Sequence, residues 1–163
     1  MASLLVNKSI PLKCRGSVYE TCIRSAMLYG SETWATTGRL EDILCRCDRR
    51  MLRYMTGVRW QDRTPSEEVA RRCGLKEIHS RMRQSRLQWF GHVRREPKGR
   101  ILRTVEEFEV HGRRPVGRPK RTWRGTVQCD MNALGIEEGL WQDRGRWRRI
   151  IRSPTPGAGR DGL

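Results

Sequence analysis

The sequence is short of acid. Its 163 residues carry 18 Asp and Glu against 34 Lys and Arg, a formal charge of +16. Solubility needs far less, so the excess calls for a polyanionic partner, most simply nucleic acid. Long apolar runs are missing as well. The longest are a few residues, against the ~20 of a spanning helix, so no membrane segment is expected, although an anionic membrane surface would also attract this charge. The opening Met1–Val6 is too short and uncharged for a secretory signal. No two of Cys14, Cys22, Cys45, Cys47, Cys73 and Cys129 form Cys-x-x-Cys, and His79, His92 and His111 complete no Cys/His cluster at zinc spacing. These cysteines read as reduced, mostly buried thiols of an intracellular protein, with no metal or cofactor expected. Phenylalanine is scarce, at two residues, and hydrophobic content is only 36%. Six tryptophans compensate, each able to bury a large area in a modest helical core.

The stretch Ile78–Arg95 shows most clearly how the charge is arranged. Ile78, Met82, Ser85, Trp89 and Val93 recur at steps of three or four and predict one helical face. Arg81, Arg83, Arg86, Arg94 and Arg95 fill much of the remainder, and no acid falls between Glu77 and Glu96. Such a helix packs on protein with one side and meets polyanion with the other.

The rest of the chain reads as all-α, as short helical hairpins joined by a basic Pro/Gly-rich linker. Lys13 to about Tyr29 predicts a helix with Val18, Cys22, Ala26 and Tyr29 in its stripe, joined by Tyr19, Ile23 and Met27. A second helix, from about Arg39 to Met55, places Leu40, Ile43, Leu44, Cys47, Met51 and Tyr54 on one face and Arg46, Arg49, Arg50 and Arg53 opposite, with Gly57 as C-terminal cap. Thr64-Pro65-Ser66-Glu67 has the spacing of a capping box and opens a short helix ending near Cys73. This helix and the basic one after it form a helical hairpin, or alternatively a helix-turn-helix reading bases from Lys76–Arg83. Ile101–Val110 alternates in part and reads as a short strand or irregular extension, with a helix not excluded. A last hairpin is expected from Trp123, Val127, Met131 and Leu134, then from Glu137 to about Arg152 with Leu140, Trp141, Arg144, Trp147 and Ile151 on one side. The organisation so derived is a helical hairpin over 1–63, the hairpin with the basic helix over 64–96, a basic linker over 97–120, a C-terminal hairpin over 121–152, and a disordered Pro/Gly-rich tail over 153–163.

Within the linker, His111–Arg121 has five basic residues, two prolines, two glycines and no acid. It cannot be a regular helix. Arg113, Arg114, Arg118, Lys120 and Arg121 are candidate phosphate contacts. Gly117-Arg-Pro-Lys120 also matches the core of a minor-groove hook, with Gly allowing close approach and Arg entering a narrow groove. The run also reads as a nuclear import signal, and so the chain as nuclear.

Several motifs in order carry a resemblance. Tyr19-Glu-Thr-Cys-Ile-Arg24, Leu28-Tyr-Gly-Ser-Glu-Thr-Trp-Ala35, Cys47-Asp-Arg-Arg-Met-Leu52, Trp60-Gln-Asp-Arg63, Arg86-Leu-Gln-Trp-Phe-Gly-His-Val93, Gly117-Arg-Pro-Lys-Arg-Thr-Trp123 and Gln142-Asp-Arg-Gly-Arg-Trp147 resemble the region after the catalytic palm in non-LTR (LINE-type) retrotransposon reverse transcriptases. The resemblance covers roughly Ser3–Ser153. It implies a thumb, about Lys13–Trp34, and a helical extension that grip template RNA and primer DNA during target-primed reverse transcription. The parent enzyme would hold an endonuclease and a polymerase palm as well. The palm holds two metal ions on paired aspartates, but this sequence has no Asp-Asp pair, and Glu41-Asp42 sits on a predicted exposed helix. Ser25 stands where the family often has proline. The chain is thus expected to be a fragment or degraded copy that does not polymerise DNA.

Three functions follow as expectations. The first is a sequence-tolerant binder of RNA or DNA working through phosphates, with Arg81, Arg83, Arg86, Arg94, Arg95 and the linker cations as contacts and Trp89 as a base-stacking candidate. The second is a hydrolase, for which Cys73 with His79, or Cys129 with a distant histidine, are the thin candidates. The third is a scaffold docking on the absent palm or on another protein. No small-molecule substrate is expected.

Overall fold

A computed structural model describes residues 2–108, 117 and 121–153. Among these every regular element is helical, as the periodicities predict. The chain divides into two units, one of residues 1–31 and 37–82, the other of residues 32–36 and 83–163.

The first unit contains α1 (Ala2–Val6), α2 (Leu12–Val18), a π-helical segment Tyr19–Arg24 that runs on into α3 (Ser25–Met27), α4 (Gly38–Thr56), a 3-10 turn Trp60–Asp62, α5 (Ser66–Arg72) and the start of α6 (Ile78–Arg95). Helix α4 begins where Thr37 Oγ1 accepts the Leu40 N–H, one residue before the expected start at Arg39, and ends at the expected cap, Gly57, with φ 72°. The capping box at Thr64 does not form. Thr64 Oγ1 instead donates to the Asp62 carbonyl at 3.5 Å, and Pro65, which needs no N–H partner, takes the cap position of α5.

The apolar stripe predicted for residues 13–29 is rotated. Cys22, Ala26 and Tyr29 are exposed, while Arg15, Gly16, Tyr19 and Arg24 are buried. The π-helical segment is the cause. Residues five apart lie about 140° apart around an α-helix, but a π turn closes at i+5 and brings them near one face. Tyr19 and Arg24 thereby both face Asp48 of α4. The stripe of α4 is likewise Leu44, Asp48, Leu52 and Met55, with Ile43, Cys47 and Tyr54 left outside.

The core of this unit gathers Leu5, Tyr19, Leu52, Met55, Val69, Ala70 and Cys73. Gly16 lets α2 lie directly on the end of α5, because a Cβ there would collide with the Cys73 carbonyl oxygen. Arg15 donates to the carbonyls of Leu5, Ile10 and Met55 at 2.9–3.1 Å, taking up acceptors at the ends of α1 and α4. The cysteines are free, but only Cys73 is buried, so the expectation of mostly buried thiols is corrected: Cys14, Cys22, Cys47 and Cys129 sit on outward helix faces.

The second unit holds α6 from Arg83 onward, α7 (Ile101–Glu107), α8 (Trp123–Ala133), a 3-10 turn Leu140–Gln142 and α9 (Arg144–Arg152). Thr122 caps α8 through the Gly125 N–H. The helix expected from Glu137 onward is interrupted, because Gly139 adopts φ 88° and Asp143 restarts the helix as a new cap. Leu87, Phe90, Val127, Met131, Ile136, Trp141, Trp147 and Ile151 form the core. Phe90 meets the Trp141 ring edge-on at 5.5 Å. Gly91 leaves room for the Trp147 indole, which a Cβ would strike. The short stretch 32–36 is held here by Trp123 Nε1 donating to the Glu32 carbonyl at 2.7 Å and by Arg86 donating to Thr36 Oγ1 at 3.0 Å.

Residues 101–107 are helical, which decides between the strand and helix expectations for this stretch. Helix α7 is oriented by charge. Glu106, 6% exposed, accepts from Arg94 at 3.2 Å and Arg124 at 2.9 Å, while Ile101, Val105 and Phe108 face out.

Candidate nucleic-acid interface

Among the described residues, a dense run of exposed charge lies on α9. Its nine residues, Arg144-Gly-Arg-Trp-Arg-Arg-Ile-Ile-Arg152, include five arginines and no acid. Trp147, 1% exposed, and Ile151, 4% exposed, anchor one face in the core. At 100° per residue, Arg149 then falls opposite those anchors, Arg146 and Arg152 lie about 120° from them on either side, Arg148 about 80° and Arg144 about 40°. All five arginines are exposed. Asp143 fixes the start of the helix, its Oδ1 accepting the Gly145 and Arg146 N–H groups at 2.9 Å. Those backbone bonds, with Arg149 and Arg146 nearby, hold its carboxyl below the ordinary range. It serves as a cap, not as a counter-ion to the whole face.

Arg95 extends the patch. Its Nη1 donates to the Trp141 carbonyl at 2.8 Å, which fixes the guanidinium at the core edge. Burial first, then the charges of Arg144 and Arg148, push its pKa down from the ordinary arginine value. Three guanidiniums thus repel one another within one patch, a standing electrostatic cost that a bound anion would relieve.

The cations singled out in the basic helix fare differently. Arg86 is 1% exposed, with Nε 2.7 Å from Asp130 and Nη1 on Thr36. It is an interior cation, and phosphate cannot reach it. Arg83 is 4% exposed with its Nε unpaired among the described residues. Burial takes both out of the phosphate-contact set. The physical reason is a shifted stripe: Met82, Arg86, Phe90 and Val93 run along the inner face, with Arg83 and Leu87 beside them, while Ser85 and Trp89 are only half-buried. Arg94 is engaged inward with Glu106 and lies 4.9 Å over the Trp141 ring. Arg81 is half-exposed and 3.4 Å from Glu20. Trp89 lies beside His92, ring centroids 5.5 Å apart. Arg121 is exposed, and Arg113, Arg114, Arg118 and Lys120 lie outside the described residues.

Of the predicted contacts, then, Arg95 joins the patch, and the α9 arginines were missed. Their signal was present, since five arginines in nine residues flank a Trp147–Ile151 anchor pair. Two other arrangements bear on function. The first two turns of α6, which a helix-turn-helix would set against bases, bury Ile78, Met82 and Arg83. The Cys73 thiol is 1% exposed and pushed up by burial, which leaves it poorly placed as a nucleophile. Among the described residues no three His, Cys, Asp or Glu side chains group as metal ligands, and no helix is long and apolar enough to cross a membrane.

The chain is similar to a transposon-derived protein of Caenorhabditis elegans, with 22% identity over 155 residues. The match covers 88% of this chain and 56% of that protein, so the chain spans about half the length of the curated relative. No family model and no solved structure matches.

Proposed function

We propose that this chain is a nucleic-acid-binding helical module of retrotransposon origin, the thumb and helical extension of a non-LTR reverse transcriptase. It contacts template RNA and primer DNA through their phosphates and carries no catalytic centre of its own. Its partners are RNA and DNA, with the polymerase palm of a parent element as a protein neighbour, and its place of action is the nucleus. The ordered motifs and the likeness to a transposon-derived protein support the origin. The observation that carries the binding is α9, five exposed arginines around two buried anchors, continued by Arg95.

Binding of this kind depends on counterion release, so affinity falls linearly with log salt at about 0.9 per phosphate contacted on duplex DNA. Fluorescence anisotropy of the purified chain against single-stranded RNA, duplex DNA and an RNA–DNA hybrid is the test. We expect binding to all three and a duplex slope of about −3 to −5, if roughly four or five arginines engage. Arg148→Gln/Arg149→Gln should reduce that slope by about 2 without altering the fold, because both side chains are solvent-facing. A wild-type slope near zero refutes the reading.

A further inference from the structure

The first unit exposes two large aromatic side chains at the C-terminal end of α4, Tyr54 at 61% and Trp60 at 79%. Neither belongs to the hydrophobic cluster of that unit. Single exposed aromatics are ordinary on a protein surface, but the segment that carries Trp60 is unusually well tied down. Arg53 Nη1 donates to the Arg59 carbonyl at 3.1 Å and Nη2 to the Thr64 carbonyl at 2.6 Å, so one guanidinium clasps both ends of the turn that carries Trp60. The Asp62 carboxylate accepts the Arg59 N–H at 2.7 Å. The Arg63 N–H closes the turn on the Trp60 carbonyl, with Arg63 at φ 48°, the single non-glycine left-handed residue among those described. Sparsely populated backbone persists where the surroundings hold it, and it gathers at ligand sites.

The charge next to these rings in the chain is mostly positive. Arg50 precedes Tyr54 by four residues and shares its helix face. Arg59 and Arg63 flank the Trp60 turn. All three are exposed and take part in no ion pair among the described residues. The one acid on the turn, Asp62, is spent on the Arg59 backbone. Two exposed rings, one of them on a clasped turn, with guanidiniums outside any ion pair next to them in the chain complement a ligand that alternates phosphates with accessible base faces.

We propose that Tyr54 and Trp60, with Arg50, Arg59 and Arg63, form a binding site for single-stranded nucleic acid, in which unpaired bases stack on the two rings and the arginines hold the adjacent phosphates. The site rests on the nucleic-acid reading above but belongs to the other unit, and it specifies the substrate. In a duplex each base is already stacked on its neighbours, so only an unpaired strand has faces to offer.

The test titrates the full chain with a fluorescein-labelled oligo-dT, an oligo-rU and a mixed-sequence DNA duplex at one moderate salt concentration, and repeats the set across salt. Trp60→Ala should weaken single-strand binding roughly five- to a hundredfold, leave duplex affinity within about twofold, and leave the salt slope unchanged. Trp60→Phe should restore most of the loss, because a ring remains. Trp60 is solvent-facing, so the melting temperature should hold, which circular dichroism checks. A single-strand change under twofold overturns the proposal, as does an equal loss on duplex. So does sedimentation showing that Trp60→Ala merely dissolves a self-association, which would make the platform a protein contact. The α9 variant Arg148→Gln/Arg149→Gln separates the two claims. If it flattens the salt slope while Trp60→Ala is silent, only the stacking site fails; if the wild type binds no polyanion, both fail.

Discussion

Asp48→Asn tests the interior of the first unit directly. Arg24, 1% exposed, donates to Asp48 from Nε at 2.9 Å and from Nη2 at 2.8 Å, a two-pronged contact with the carboxylate. Its Nη1 reaches Glu20 and the Lys76 carbonyl, both at 2.8 Å. The Tyr19 hydroxyl donates to the same Asp48 carboxylate at 2.9 Å. Asparagine preserves the shape and one acceptor but removes the buried negative charge. Breaking a buried pair from one side costs about 3–5 kcal/mol. Glu20 is partly exposed and keeps one prong of Arg24 compensated, so the lower end applies, about 3 kcal/mol. With a denaturant slope of about 1–3 kcal/mol per molar urea, the midpoint should fall by roughly 1–3 M. Urea unfolding by circular dichroism, with hydrogen exchange of the α4 amides as local reporter, measures it. The double replacement Arg24→Met/Asp48→Leu should recover most of the loss, because it leaves no charge stranded. A single-variant midpoint shift under about 0.3 M, or a double variant worse than the single, would refute the claim that these two charges are mutually dependent.

Two further outcomes can be measured on the same preparations. Gly91→Ala should destabilise the chain by about 1–3 kcal/mol despite alanine's better helix propensity, since its Cβ meets the Trp147 indole, and thermal melting reads the change. Stability should also decline at alkaline pH. Burial first, then Asp48, raises the Tyr19 phenol above its ordinary value, and burial raises the Cys73 thiol. Groups raised in the folded state contribute fully below their unfolded pKa and lose that contribution as pH rises past it. Unfolding free energy should therefore begin to fall near pH 8.5–9 and fall further above about pH 10, each group adding a slope near 1.4 kcal/mol per pH unit. A flat urea midpoint between pH 8 and 11 would count against both burials.

The helical class, the stop at Gly57 and the basic excess are all written locally in the sequence. Caps and stops act within one turn, and a charge count needs no coordinates. Faces were less legible, and here arginine misled. A guanidinium counts as surface when read from the sequence, yet Arg15, Arg24 and Arg86 are interior. Arg15 is bonded to a carbonyl 40 residues away, Arg24 to a carboxylate 24 away and Arg86 to one 44 away. No helical period encodes such partners, so the stripes drawn for residues 13–29, α4 and α6 came out rotated, while that of α8, Trp123, Val127, Met131 and Leu134, did not. The π-helical turn at Tyr19–Arg24 is of the same kind, since the side-chain pair it aligns is useful only once Asp48 is opposite. The sequence by itself determined that this protein is a basic, all-helical chain. Only the tertiary structure decided which arginines neutralise its interior and which, like those of α9, remain exposed. Burying a cation is favourable only where a distant carboxylate or carbonyl is brought to meet it.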